Sequence, residues 1–384
     1  MIILPTVTGM QPPFKIVMTD LQAQYRRLKP EIDQAIQHCL EEAQFIRGRP
    51  VKDFEQSLAA YTGAEYVVSC GNGTDALQLA CMALDLRPGE KVIVPAFTYI
   101  ATVEVLKLLG LQPVYCDVDE RTFMLTAETL EQVYTPDCKA VMVVHLYGQC
   151  AEMEAVLQWA EEKGLYIIED NAQAIGACGQ IAGEWKQAGT IGHIGTTSFF
   201  PSKNLGAYGD GGALFTSSEA LARKLRMIAN HGQSRKYYHD LTGVNSRLDT
   251  LQAAILQVKL KYLDQFIDAR RQVAAYYDEQ LAAVPGLRIP ERSPASTHVF
   301  HQYTLTLDEA ADRPALQSYL SAQGIPSVVY YPLPVYRQEA YRESIQLPVT
   351  ERLCRTVLSL PVHTEMNEEQ INYICGHLKA FLNG

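Results

Sequence analysis

Leu165-Tyr166-Ile167-Ile168-Glu169-Asp170-Asn171-Ala172-Gln173-Ala174 is an apolar run that ends in acid. Its first half shows no polar alternation, which is the pattern of a strand covered on both faces in a parallel sheet. Ligands of open α/β sheets bind outside the carboxyl ends of such strands. Asp170 and, just beyond it, Gln173 therefore fall on a candidate binding rim. Working outward, Tyr66–Cys70, Lys91–Val94, Val114–Asp117, Ala140–His145 and Gly211–Thr216 read as further strands. Helical patterns at Tyr25–Ala43, Phe54–Tyr61, Thr74 onward, Ile100–Leu109, Ala127–Val133, Ala151–Lys163 and Ser217–Ala229 separate or flank them. Strands alternating with helices predict an α/β fold with a mainly parallel sheet covered on both faces.

A second stretch, Thr196 to Gly212, reads Thr-Thr-Ser-Phe-Phe-Pro-Ser-Lys-Asn-Leu-Gly-Ala-Tyr-Gly-Asp-Gly-Gly. Pro201 and the glycines predict a loop with special backbone angles. Lys203 sits inside it. In a tight apolar loop past a strand end, a lysine loses water, and desolvation lowers its pKa. The free amine can then form a Schiff base with a carbonyl. The alternative is a solvated surface lysine. An aspartate and a lysine at neighbouring strand ends are what a pyridoxal phosphate site needs: the lysine holds the aldehyde and the aspartate pairs with the pyridine nitrogen.

Before the helix that starts at Thr74, the strand Tyr66–Cys70 breaks at Gly71-Asn72-Gly73. Strand, glycine turn and helix N-terminus in that order make an anion site. Gly73 and Thr74 are thus candidates to hold a phosphate, against the alternative of an ordinary turn with Thr74 as N-cap.

Glu-Asp-x-Ala-Gln-Ala, then Ser-Phe-Phe-Pro-Ser-Lys-Asn-Leu-Gly, then Gly-Asp-Gly-Gly resemble the nucleotide-sugar aminotransferases of the DegT/DnrJ/StrS type. The resemblance runs from about Asp20 to the C-terminus. It implies the type I pyridoxal phosphate-dependent fold of aspartate aminotransferase: a large domain with a mainly parallel seven-stranded sheet, plus a small C-terminal α+β domain. The large domain is expected at residues 13–247, a linking helix at 248–284 and the small domain at 285–384. Residues 1–12 are expected to be a poorly ordered extension.

The resemblance also assigns roles. Lys203 and Asp170 become the catalytic pair, with Gly73, Thr74, Gln173 and Ser198 on the cofactor. A serine at the place of Ser198 donates to the phosphate. An aromatic at the place of Tyr99 stacks on the pyridine ring, which is physically sensible for a flat ligand; a core aromatic is the alternative. The long irregular piece His231–Asn245 is expected to cross a homodimer interface, with Asn245 reaching the neighbour's cofactor phosphate. Arg247 is the best fixed cation for an anionic substrate group such as a carboxylate, unless it forms a surface ion pair. Tyr331 is a candidate substrate contact. Nearby, Pro334-Val335-Tyr336 stands where the family often has Pro-Leu-His, so a role at that position is not carried over. His145 is either a structural histidine or a substrate contact.

The implied reaction is transamination between glutamate and a nucleotide-linked keto-sugar, for amino-sugar or polysaccharide synthesis. The segment His145-Leu146-Tyr147-Gly148-Gln149 resembles members that act at a 3-keto group. A sugar 3-dehydratase of the same fold carries histidine in place of the lysine. A non-catalytic, cofactor-binding regulator is the other alternative, and the intact Lys203, Asp170, Gln173 and Ser198 speak against it.

Composition, 47% apolar and 20% charged, is ordinary for a globular protein. A formal charge of −10, from 33 Lys and Arg against 43 Asp and Glu, lacks the cationic surplus that nucleic-acid binding needs. Nine cysteines without metal-type spacing suggest reduced thiols in a cytoplasm. No export signal or membrane span is read, and no metal site.

Overall fold

A computed structural model describes residues 14–382; the extension expected at residues 1–12 lies outside the described residues. In chain order the first half runs α1 (Leu21–Glu42), α2 (Arg49–Thr62), β1 (Tyr66–Cys70), α3 (Gly73–Ala83), β2 (Lys91–Pro95), α4 (Ala101–Leu108), β3 (Gln112–Cys116), α5 (Ala127–Val133), β4 (Cys138–Val144), α6 (Met153–Lys163) and β5 (Tyr166–Asp170). Next come β6 (Cys178–Ile181), β7 (Glu184–Gln187), β8 (Ile194–Ser198), β9 (Gly212–Thr216), α7 (Glu219–Ile228), β10 (Gln233–Arg235), β11 (Tyr238–His239), α8 (Thr250–Leu260) and α9 (Leu263–Leu281). The remainder holds β12 (Leu287–Arg288), β13 (Tyr303–Leu307), α10 (Arg313–Ala322), α11 (Pro348–Thr356), β14 (Val357–Leu360) and α12 (Glu368–Leu382).

Helix ends follow local chemistry. Asp20 caps α1 by accepting from the N–H of Ala23 at 2.8 Å. Thr126 and Thr129 close a reciprocal cap on α5. The chain leaves α2 at Gly63 (φ 74°) and α6 at Gly164 (φ 66°), left-handed positions that suit glycine.

Seven strands form the main sheet in the order β1-β9-β8-β5-β4-β2-β3. The pairs β8/β5, β5/β4, β4/β2 and β2/β3 are parallel, while β9 runs antiparallel to both neighbours. β4 and β5 lie at the centre, and from Ala140 to Val144 and from Ile167 to Asp170 every residue is buried. Apolar clusters cover both faces, one built around Val141, Ile167 and Phe199 and the other around Val92, Met142 and Ile168. A third cluster packs the later part of α9 with β13, β14, α10 and α12 through Tyr277, Tyr303, Leu320 and Leu378.

Three expectations change. The linking helix is two helices, α8 and α9, parted at Lys261-Tyr262 without glycine or proline. Ser327–Tyr331, whose apolar Val328-Val329-Tyr330-Tyr331 run predicts a strand of the small domain, makes a single bridge, Val328 to Ser359. Asn72, not Thr74, caps α3, accepting from the N–H of Asp75 at 2.8 Å. The described cysteines are all free thiols, and no described helix is long and apolar enough to cross a membrane.

Candidate active site

Because β9 is antiparallel to β8, the chain leaves the sheet at Ser198 and re-enters it at Gly212 on the same rim. Residues 199–211 form a strap across that rim. The N–H of Phe199 donates to the carbonyl of Gly211 at 2.7 Å, and that of Ala207 to Phe199 at 2.8 Å. Phe199 is fully buried and meets Phe54 edge to face at 5.4 Å. Asn204 donates to the Val299 carbonyl, and Lys259 to the Gly206 carbonyl. Lys203 sits in the middle of this pinned strap, its own N–H donating to Phe200 at 2.8 Å.

The strap, the start of α3, the Thr98–Ala101 segment and the end of β5 surround a cavity of about 650 Å³. Its lining includes Gly73, Thr74, Tyr99, Asp170, Gln173, Ser198, Lys203 and Tyr331. Eight of the ten candidate residues thus share one chamber. The other two, Asn245 and Arg247, are not among its lining residues. Arg247 borders a separate surface cleft of about 100 Å³ with Arg47, Lys52 and Arg226, outside the chain's own cavity. The reason is geometric: residues 244–246 hydrogen-bond to 228–231 on the far side of the turn that begins α3. Asn245 is exposed.

Electrostatics sort the cavity groups. Burial strips water from the Lys203 ammonium and pushes its pKa down to about 8, against the pull of Asp170. Asp170 is 6% exposed. Burial pushes its carboxyl up, opposed by the Ala172 N–H at 3.1 Å, by the Lys203 charge and by the Thr102 hydroxyl at 3.1 Å. Gln173 is locked in place, accepting from the Tyr147 N–H at 2.7 Å and donating to the Tyr331 hydroxyl at 3.1 Å. Tyr99 is 57% exposed, with its ring 6.1 Å from that of Tyr331; exposure to the cavity removes the core-aromatic alternative.

These residues fit pyridoxal phosphate. A buried carboxyl with only neutral hydrogen-bond donors beside the Lys203 charge suits a cationic ring nitrogen. The first N–H groups of a helix have no intrahelical partner, and those of Gly73 and Thr74 begin α3 beside the cavity. A side chain at Gly73 would come within 2.7 Å of the Ser198 Cβ, so only glycine leaves room at this cradle. Tyr99 offers a face for the ring.

The chain belongs to the DegT/DnrJ/EryC1/StrS aminotransferase family. The family model matches residues 26–379. A UDP-2-acetamido-2-deoxy-3-oxo-D-glucuronate aminotransferase of Pseudomonas aeruginosa is 45% identical, over 94% of this chain and 99% of that protein. Among solved structures, DesV of S. venezuelae in complex with a ketimine intermediate superposes with a TM-score of 0.92 at 37% identity, covering 96% of this chain and 99% of that one. NtdA from Bacillus subtilis with bound cofactor PMP gives 0.88 at 30% identity, covering 96% of this chain and 86% of that one.

For this family member, several residues in or behind the cavity wall escaped sequence reading. Thr102 holds Asp170 and touches Thr98 at 3.1 Å. Thr98 lies in the bend before α4 and Thr102 in its first turn, so no helical spacing marks the pair. His301, Gln302 and Tyr330 reach the cavity from beyond α9, and no local pattern marks them. His145 is fully buried, 2.8 Å from Glu169, and is therefore structural. Tyr336 is also buried, donating to Glu351 at 2.9 Å, so the departure from Pro-Leu-His feeds the core and not the site.

Proposed function

We propose that this aminotransferase moves an amino group from glutamate to carbon 3 of a nucleotide-linked keto-sugar, using pyridoxal phosphate, in amino-sugar or polysaccharide synthesis. The observation that carries the reading is Lys203 and Asp170 on one cavity whose volume, about 650 Å³, lies in the range of small-molecule sites. When bound, the cofactor supplies an aldehyde for the lysine and a ring that accepts electrons. The residues do the rest. Lys203, whose pKa burial lowers to about 8, takes and returns the proton at the carbon bearing nitrogen. Asp170 stabilises positive charge on the ring nitrogen. Gly73, Thr74 and Ser198 hold the phosphate, Gln173 and Tyr99 orient the ring, and Tyr331 closes over the substrate.

The working unit in this reading is a homodimer, with Asn245 reaching the neighbour's cofactor phosphate and Arg247 meeting an anionic group of the neighbour's substrate. Exposure of Asn245 supports it. So does the bridge from Ile46 to Asp249, which sets the exposed Phe45 and Ile46 beside the Arg247 segment; exposed apolar groups of this kind mark interfaces. The relative from P. aeruginosa acts on a 3-oxo uronate, whose carboxylate would suit Arg247.

The test is incubation with pyridoxal phosphate, glutamate and a panel of UDP- and dTDP-linked 3-keto and 4-keto sugars, with products read by mass spectrometry. An amino-sugar nucleotide is expected. A deoxy-sugar product without nitrogen would instead establish the dehydratase reading, which Lys203 in the histidine position disfavours.

A further inference from the structure

On the wall of the cationic cleft, behind the turn that begins α3, lies a hydroxyl with no role assigned so far, that of Ser246. Ser246 is 2% exposed. Its Oγ accepts from the Gly71 N–H at 2.9 Å and donates to Asp75 Oδ2 at 2.6 Å. Its own N–H donates to the Ala229 carbonyl at 3.0 Å. Asp75 lies in the first turn of α3, its N–H held by Asn72. A side chain at Gly71 would meet Asp75 Oδ2 at 2.8 Å and Ser246 Oγ at 3.4 Å. Ser246 thus joins Gly71 to Asp75, and the crowding at Gly71 admits no side chain there. Asn245 and Arg247 flank Ser246, facing outward.

We infer that Ser246 is a positioning residue that fastens the phosphate turn of its own protomer to the segment offered to the partner's site. This rests on the dimer reading above. In an extended segment, alternate side chains point to opposite faces. With Ser246 anchored inward at the Gly71–Asp75 turn, Asn245 and Arg247 are fixed outward as a consequence. One hydroxyl thus sets the position of the N–H groups of Gly73 and Thr74 for one site and of two side chains for the other. A serine hydroxyl has one proton to donate and lone pairs to accept, and both capacities are used here.

The first measurement is pyridoxal phosphate affinity by equilibrium dialysis against the metal-free, cofactor-stripped protein. Ser246→Ala leaves the Gly71 N–H and the Asp75 carboxylate without this partner, and its dissociation constant should rise about tenfold. Asp75→Ala should do the same. Asp75→Asn keeps an acceptor for the serine and should stay within about twofold of the parent. If Ser246→Ala lowered the melting temperature of the stripped protein yet kept the affinity of the parent, the positioning role would be overturned.

The second measurement mixes Lys203→Ala chains with Asn245→Ala chains and follows bleaching of the cofactor colour by glutamate. Random pairing leaves about a quarter of the sites with both an intact lysine and an intact partner asparagine. Ser246→Ala is then added to one chain at a time. Lower restored activity from either placement supports the junction. Loss only when it accompanies the working lysine overturns the cross-protomer half. If the parent pair restores nothing, the shared-site dimer fails, and the cross-protomer half with it, while the affinity result still decides the role at the chain's own turn.

Discussion

Glu169 and Asp170 are neighbours on one strand, and the two faces of β5 treat them oppositely. Glu169 is fully buried. Burial alone would raise its pKa, but His145 at 2.8 Å and the N–H groups of Gly189, Ile191 and Gly192 at 2.8, 2.7 and 2.6 Å more than offset it, and its carboxyl sits below the usual range. Asp170, on the cavity side, has two neutral donors, and burial keeps its carboxyl above the usual range. A fully satisfied buried acid holds the fold together. An under-satisfied one beside a chamber is set up to receive charge.

The largest expected effect falls on the partner of Asp170. Lys203→Ala should end covalent capture of the cofactor and cut turnover by at least about 10³-fold, since proton transfer by a positioned group contributes on that order. Absorbance of the cofactor-loaded protein and steady-state rates check it. Asp170→Asn should lower kcat by about 10²–10³-fold, the scale of a lost electrostatic contact at a reacting centre. Its melting temperature should stay at or above that of the parent, because an underpaired buried charge is gone.

Glu169→Gln should invert that pattern. An amide group would face N–H donors that now point at a carboxylate oxygen, costing about 3–5 kcal/mol of folding stability, read by denaturant unfolding. Turnover of the folded fraction should stay within about tenfold of the parent. If Glu169→Gln proved stable but inactive, the division between the two faces would be wrong.

A pH series sharpens the same contrast. With Lys203 at about 8, capture of pyridoxal phosphate by the stripped protein should quicken about tenfold per pH unit below that value and level off above it, because only the free amine attacks. Asp170 raises the lysine's pKa, so Asp170→Asn should move the midpoint down, and Glu169→Gln should leave it in place. The smallest effect is at Tyr99: Phe should bind cofactor as the parent does, and Ala about fivefold more weakly, the worth of one aromatic face.

What the residues disclosed in advance follows from how each feature is encoded. The central strands are continuous apolar runs, and β1, β4 and β5 were legible to within a residue or two. The chemistry-bearing groups around the cavity lie within a few residues of strand ends, where an apolar run meets Asp170, Ser198 or a glycine turn. The hairpin β6–β7 was not legible, because Glu184–Lys186 are exposed and carry no burial pattern. The break between α8 and α9 has no proline or glycine to mark it. Arg247 was legible as a useful cation, but not as one lining a cleft separate from its own cavity. That depends on pairing with residues 228–231, a contact set by tertiary structure. His301, Gln302 and Tyr330 enter from a part of the chain about a hundred residues beyond Lys203, and nothing local announces such an approach.

The strap bearing Lys203 has a consequence for repeated turnover. A segment that leaves and rejoins one sheet edge, nailed down by Phe199, Asn204 and the Gly206 carbonyl, gives the lysine a fixed root and a swinging tip. Each time the amine is displaced and must come back, the search is confined to four methylene torsions rather than a peptide excursion. The anchored main chain returns the amine to the same place on the cavity wall.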